Sequence, residues 1–341
     1  VERDLLFPVF FLFKLYFMIY PLAFERIDLA AYDVILSSSS AYAKGVRKIK
    51  DQLHICYCYT PMRFVWRYDD YVRNEPFPNI AKKILPFFLE PIKQWDRHNS
   101  GAVDHFIAIS RVVADRIKQI YGRESAIIYP PVETDFFRPG EIDRDYFLLV
   151  SRLNAYKRVD LAVAAFKELD LPLKIVGDGP DKERLRRLAG RSTEFLGRQS
   201  DVEIAKLMAE CRALIFPGEE DFGITPVEAM ATGRPVIAYR AGGALETVVE
   251  DETGLFFDSP TPTALVKALQ RFKFKLFDKS RVRAQAIKFD KRHFSRQIAV
   301  FIKEKYEFTQ PDWYVPVGEA ASADVQARQD VLSGLGGLVM Q

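Results

Sequence analysis

Cysteine and histidine are both scarce. In 341 residues the chain holds three cysteines and four histidines. Cys56 and Cys58 share the apolar run HICYCYT, Cys211 stands apart, and no CxxC pair occurs. This excludes a disulfide framework and a paired-cysteine zinc site, and fits a reducing cytoplasm. Charge of one sign is lacking too. A net charge of +3 is too small to make nucleic acid the main partner, although a basic stretch such as KALQRFKFKLFDKSRVR suits an anionic membrane surface. Disorder cannot dominate, since a hydrophobic content of 48% with 28% charged residues describes a globular chain long enough for two domains. Nor is there a DxD-type acidic cluster placed to hold a metal, since Asp69 and Asp70 belong to the first half of the chain. The expectation is that no metal and no cofactor is required.

Only one long apolar run is present, LLFPVFFLFKLYFMIYPLAF, from Leu5 to Phe24. Its length matches a membrane span. Lys14 sits in its middle and Pro8 and Pro21 near its ends, and no small-residue cleavage site follows. Three readings remain open: a buried or interdomain helix, a helix lying in a membrane interface, and a true span.

Beyond that run, short apolar stretches alternate with helical periods. YDVILSSS, LHICYCYT and VDHFIAIS read as strands, with helices from Asn79 to Arg97 and over RVVADRIKQIYG, ending at Gly122. YPPVETDFFRPG reads as a linker. Then come YFLLVSR, VDLAVAAFKEL, LPLKIVGDGP, KERLRRLA, TEFLG, DVEIAKLMAEC, ALIFPG, TPVEAMAT and RPVIAYR, alternately strand and helix. Such alternation implies a parallel, doubly wound α/β sheet, complete from about Tyr146 to Phe289. Sheets of this kind bind ligands beyond the carboxyl ends of their strands.

Two such loops carry chemistry. In GEEDFGITPVEAMATG, Glu220 and Glu228 lie eight positions apart around Gly223, Ile224 and Thr225. As a helix start, Thr225 is the N-cap, Pro226 the first position, and Glu228 the third residue of a capping box. As a binding site, the same helix start directs N–H groups at a phosphate, and Gly223 lets the backbone come close. In SRLNAYKRVDL, Arg152 and Lys157 are either solvated surface cations or partners for a diphosphate.

SRLNAYKR, IVGDGP, EFLGRQSD, FPGEEDFGITPVEAMATGRPVIA and AGGALETV, in this order, resemble the donor domain of retaining glycosyltransferases of family 4, which have the GT-B fold of two Rossmann-like domains. Upstream, DVILSSSSAYAKGV, HICYCYTPMRFVW and IIYPPVETDFF resemble the acceptor-side domain of bacterial and archaeal members that build surface polysaccharides, many of them mannosyltransferases. The resemblance implies an acceptor-side domain over residues 1–138, a donor domain over 139–290, a helix over 291–310 crossing back to the first domain, and an extension over 311–341. It implies that Glu228 takes the ribose hydroxyls, that Glu220 contacts the donor sugar, and that Arg152 and Lys157 hold the diphosphate. Phe222, Gly223, Ile224 and Thr225 would line the donor site. Gly177 and Gly179 in GDGP, with Arg198 in LGRQ, would frame the base. The implied donor is a nucleotide sugar, GDP-mannose before UDP-sugars, and the implied acceptor is lipid-linked or a polysaccharide.

Departures from the family pattern sit on the acceptor side. Ser40 and Tyr59 stand where relatives have histidine, and Arg67 stands where an acidic residue is usual. His54, His98, His105 and His293 occupy none of those places and are expected to be structural. The glycine-rich loop and further βα units that open the family's first domain have no counterpart, so that domain is expected to be incomplete, its sheet edge covered by the apolar run or by a partner protein. These departures motivate an alternative to catalysis, a donor-binding pseudoenzyme supporting a catalytic partner.

Overall fold

The computed structural model describes residues 19–49, 51–68 and 79–309. Most of the Leu5–Phe24 run, Asp69 and Asp70, and residues 311–341 lie outside the described residues.

Two parallel sheets organise the chain. The first joins β1 (Val34–Ser39), β2 (Leu53–Cys58), β3 (His105–Ala108) and β4 (Ser125–Ile127) in sequential order. All six residues of β2 are buried, as a continuous apolar run in a sheet covered on both faces should be. Around this sheet lie α1 (Tyr20–Glu25), α2 (Arg63–Trp66), α3 (Asn79–Ser100) and α4 (Arg111–Tyr121). Ser110 caps α4 by accepting from the Val113 N–H at 3.2 Å, and Gly122 ends it in the left-handed region at φ 67°.

The second sheet holds β5 (Phe147–Val150), β6 (Leu173–Val176), β7 (Thr193–Gly197), β8 (Leu214–Phe216), β9 (Val236–Tyr239) and β10 (Gly254–Phe257). Its order is β10-β9-β8-β5-β6-β7, every neighbouring pair parallel. The winding therefore reverses between β5 and β8, which opens a crevice at their carboxyl ends. The accompanying helices are α5 (Val159–Leu169), α6 (Lys182–Leu188), α7 (Asp201–Glu210), α8 (Ile224–Ala231), α9 (Ala244–Thr247), α10 (Pro262–Phe272) and α11 (Lys279–Ile287). Among the described residues no helix is long and apolar enough to cross a membrane.

One apolar core runs through both sheets. It takes Ile55, Phe106, Ile107 and Ile117 from the first, and Leu148, Leu214, Val227 and Phe256 from the second. Tyr129, Phe222 and Phe289 meet where the two halves join, with ring centroids 5.2 to 5.6 Å apart. Each such contact adds about 0.5–1.5 kcal/mol beyond area burial. The last helix, α12 (Lys291–Thr309), returns to the first sheet, where Phe294 meets Tyr57 edge-on at 5.5 Å and Phe301 meets His105 at 6.2 Å.

Below α3 lies a buried polar knot. Lys44 and Asp96, 2% and 0% exposed, form an ion pair. Asp96 also accepts from Trp66 Nε1 at 2.7 Å and from the Tyr121 hydroxyl at 2.6 Å. Lys44 donates in addition to the Ala41 carbonyl at 3.0 Å. With every partner satisfied, the charges are tolerated in the interior. The knot ties the turn after β1 to α3 and α4.

Candidate active site

The loops after β5 and β8 flank the crevice, and their close packing is what glycine permits. A Cβ on Gly218 would lie 2.8 Å from the Lys157 carbonyl oxygen, and one on Gly177, at φ +130°, would lie 1.9 Å from that of Ser151. The Gly177 N–H donates to the Gly197 carbonyl at 2.7 Å, and the Leu153 N–H to the Asp178 carbonyl at 2.9 Å. A Cβ on Gly179 would meet the Leu153 carbonyl at 2.5 Å. Gly177 and Gly179 thus bring the GDGP loop onto the β5 loop, backbone against backbone.

Lys157 reaches across the crevice and pairs with Glu220. Both side chains are largely buried, so the pair is better shielded than a surface ion pair. Arg152 and Arg198 are exposed, and among the described residues neither guanidinium has a side-chain partner. Arg198 contributes positive potential at Asp178, whose carboxyl is held below its usual range first by the Gly179 N–H and then by Lys182.

Behind Glu220 the loop is pinned by a second glycine pair. The Gly243 N–H donates to the Glu220 carbonyl at 2.9 Å. A Cβ on Gly242 would lie 2.2 Å from that carbonyl oxygen, and one on Gly243 would lie 2.2 Å from the Phe222 Cα. Phe222 is 2% exposed and stacks on Tyr129, so it offers the site its backbone and not its ring.

The capping-box reading of Glu228 is corrected. Gly223 is the N-cap, at φ 84° and ψ 80°, no side chain caps the helix, and α8 starts at Ile224. Thr225 and Pro226 fall inside the first turn, and Glu228 is a full turn in. The first N–H groups of α8 have no intrahelical carbonyl to reach and carry the positive end of the helix dipole. Glu228 is half-buried, and among the described residues its carboxylate has neither a hydrogen bond nor an ion pair. Burial, reinforced by the charge of Asp201, pushes its carboxyl up to about 7. An unpaired, desolvated carboxylate beside a helix start at a topological switch point is a costly arrangement, of the kind found where a ligand supplies the missing donors.

Comparison with known proteins gives this geometry a family. Residues 132–286 match the model of the glycosyl transferases group 1. Over those residues the second domain is similar to the group 1 glycosyl transferases. An uncharacterised glycosyltransferase of Methanocaldococcus jannaschii is 30% identical to the chain over 167 residues, 48% of this chain and 47% of that protein. The GDP-mannose-dependent alpha-(1-6)-phosphatidylinositol monomannoside mannosyltransferase of Mycolicibacterium smegmatis is 30% identical, over 47% of this chain and 50% of that protein. The alpha-1,3/1,6-mannosyltransferase ALG2 of Dictyostelium discoideum is 26% identical, over 53% and 55%. The chain spans about half the length of these curated relatives. Among solved structures, sucrose-phosphate synthase from Thermosynechococcus elongatus superposes with a TM-score of 0.68 at 18% identity, over 86% of this chain and 79% of that one. Anabaena HepE, solved with UDP and glucose, gives 0.58 at 20% identity, over 73% and 77%. At those identities the likeness is one of fold, and the fold is GT-B: two parallel Rossmann-like sheets facing across a cleft.

Across that cleft the second domain meets Arg63, Arg67 and Arg116, of which sequence reasoning missed the first and the last. Arg63 reaches Asp221 at 2.7 Å, Arg67 reaches Glu219 at 3.1 Å, and Arg116 pairs with Asp221, lies 3.5 Å from Glu219 and donates to the Thr60 hydroxyl at 3.3 Å. The available signal was the acidic triplet GEED, of which only Glu220 has its partner in the same domain. Arg67, a departure from the family pattern, thus faces a carboxylate. Tyr59 and Ser40 are exposed near the end of the first sheet, and Tyr59 accepts from the Ser38 hydroxyl at 3.2 Å. His54 is fully buried, shares a hydrogen bond of 2.8 Å with Ser37, and is pushed down to about 4 by burial.

Proposed function

We propose that the chain is a retaining hexosyltransferase that moves a sugar, mannose before others, from a nucleoside diphosphate to a lipid-linked or polysaccharide acceptor. The observation that carries this reading is the unpaired carboxylate of Glu228 beside the α8 start, with Lys157 and Arg152 on the opposite wall. A ribose offers two adjacent hydroxyls to such a carboxylate. The diphosphate would lie between the first N–H groups of α8 and the two cations, with Arg152 forking onto two oxygens. Glu220, held by Lys157 and by the Gly243 N–H, would contact the donor sugar.

In this reading the bond from the sugar's anomeric carbon to the diphosphate oxygen breaks while the acceptor oxygen bonds to the same carbon on the same face. The acceptor's proton passes to the departing diphosphate oxygen. The cations and the helix start stabilise the charge that develops there. Mannose is favoured by the likeness to mannosyltransferases, and a UDP-sugar is the next candidate. A cytoplasmic, membrane-peripheral setting is favoured by the lysine-rich segment in which Phe274 and Leu276 are 84% and 97% exposed.

A thermal-shift series with GDP and UDP tests the donor site without an acceptor. Ligand at a hundred times its dissociation constant stabilises by about 2.7 kcal/mol. One of the two should raise Tm, and Arg152→Ala should weaken that response by at least tenfold in concentration, about 1.4 kcal/mol. No response to either nucleotide at millimolar concentration would overturn the reading.

A further inference from the structure

Loop 218–223 is held from three directions, and the partners alternate along it. Its backbone lies between the Lys157 loop, which only a glycine at 218 allows, and the Gly242–Gly243 turn, whose N–H fixes the Glu220 carbonyl. The Glu220 side chain turns inward to Lys157 of the same domain. Its two neighbours turn the other way. Asp221 is gripped by Arg63 and Arg116, and Glu219 by Arg67, all three arginines belonging to the opposite domain. Arg116 and Asp221 are each only 13% exposed, while Arg67 and Glu219 form a more open rim at 34% and 39%.

We propose that Arg63, Arg67 and Arg116 are positioning residues for transfer: by gripping the neighbours of Glu220 from the opposite domain, they make closure of the cleft and placement of the Glu220 carboxylate one event. This rests on the reading of Glu220 as the residue that contacts the donor sugar, and it deepens that reading. The geometry allows little slack. Glu219 and Asp221 are held on the side opposite to that of Glu220, so they cannot follow the arginines without carrying the peptide units on both sides of Glu220 with them. If the arginines withdraw, the backbone keeps its glycine contacts but loses its side-chain tether. The carboxylate of Glu220 then has Lys157 alone to fix it. Nucleotide contacts all come from the second domain in this reading, so the arginines should act on turnover and leave nucleotide affinity alone.

The test combines a double-mutant cycle with a distance measurement. The native cysteines Cys56, Cys58 and Cys211 are buried. Fluorophores can therefore be placed selectively through Lys118→Cys in the first domain and Val202→Cys in the second, at sites 66% and 69% exposed. In Arg116→Ala and in Asp221→Ala, energy transfer between the labels should fall and kcat should drop by at least about tenfold, since a misplacement of about 1 Å can cost a hundredfold. GDP or UDP affinity should stay within about twofold. The double variant should lose clearly less than the product of the two single losses, because the Arg116–Asp221 contact is removed by both. Arg67→Ala, at the more open rim, should give a smaller loss of kcat in the same direction.

Unchanged energy transfer together with unchanged kcat in Arg116→Ala would overturn the proposal. So would a loss of kcat in the double variant equal to the product of the single losses, or a parallel loss of nucleotide affinity. If the wild-type chain binds neither nucleotide, the donor-site reading fails first. The label distance then still decides whether the arginines hold the two domains together, and an unchanged distance in Arg116→Ala sinks the clamp as well.

Discussion

Replacing Glu228 with glutamine should stabilise the protein at high pH and leave it unaltered at low pH. The Glu228 carboxyl is pushed up to about 7 from an ordinary value of 4.5, first by burial and then by the charge of Asp201. The sign follows from linkage. Below the unfolded value the group is protonated in both states and contributes nothing. Between the two values the folded state holds a proton that the unfolded state has released, so stability falls as pH rises through that window. Above about 7 the folded protein carries the whole penalty, at 1.36 kcal/mol per unit roughly 3 kcal/mol as an upper bound. Glutamine keeps the shape and removes the charge. Urea melts of both proteins at several pH values should show Glu228→Gln more stable by about 2–3 kcal/mol at pH 8, with the gap closing towards pH 4.5. Comparing variant with wild type cancels every other titrating group. Nucleotide binding should run the other way. Ribose hydroxyls that donate to the carboxylate favour its charged form, so wild-type affinity should weaken by up to about tenfold per pH unit below 7, relative to the variant. At pH 8 the variant should bind about 1–3 kcal/mol more weakly. A stability gap that is constant with pH, or a glutamine variant that binds nucleotide as tightly as wild type at pH 8, would refute the reasoning.

Three further outcomes are expected. Gly243→Ala places a methyl 2.2 Å from the Phe222 Cα, so it should displace loop 219–222 and cut nucleotide-dependent stabilisation in a thermal-shift assay more than it lowers Tm itself. Asp96→Ala strands the buried Lys44 ammonium, the Trp66 N–H and the Tyr121 hydroxyl, and should cost about 3–5 kcal/mol in denaturant melts; a loss below about 1 kcal/mol would show that water replaces the carboxylate. The protein should float with anionic liposomes and not with neutral ones, and Leu276→Asp, at a site 97% exposed, should reduce recovery without changing Tm.

Much of the second domain was legible because local pattern and tertiary environment agree there. Short continuous apolar runs such as FLLV and LIF, bounded by turn residues, read as buried strands, and the loops that follow them fall at the switch point by topology. That is why Arg152, Lys157 and Glu220 could be grouped from the sequence. The start of α8 was misread because Thr225, Pro226 and Glu228 imitate a capping box while the backbone conformation of Gly223 moves the helix start upstream. No residue pattern announces a φ of 84° at one glycine. The packing of Phe222 against Tyr129 and Phe289 was not legible, because those neighbours are remote in sequence. β4 and β10 are three and four residues long, and neither was separated from its surroundings as a strand. The arginine grip on Glu219 and Asp221 was beyond local reasoning, since it exists only once the two domains face each other.

The aromatic meeting of Tyr129, Phe222 and Phe289 bears on how this molecule could be recombined with others. The proline-rich segment ending near Gly140 looks like the natural seam for building hybrids that keep one acceptor half and exchange the donor half. Yet Val132 and Phe137, which precede that glycine, are buried in the same core as Val227 and Phe289. A hybrid joined at Gly140 would match Tyr129, Val132 and Phe137 from one parent with Phe222 and Phe289 from another, and would inherit a mispacked join. The seam that respects the packing lies earlier, just after Ile128, so that the whole crossover travels with the half whose rings it fits.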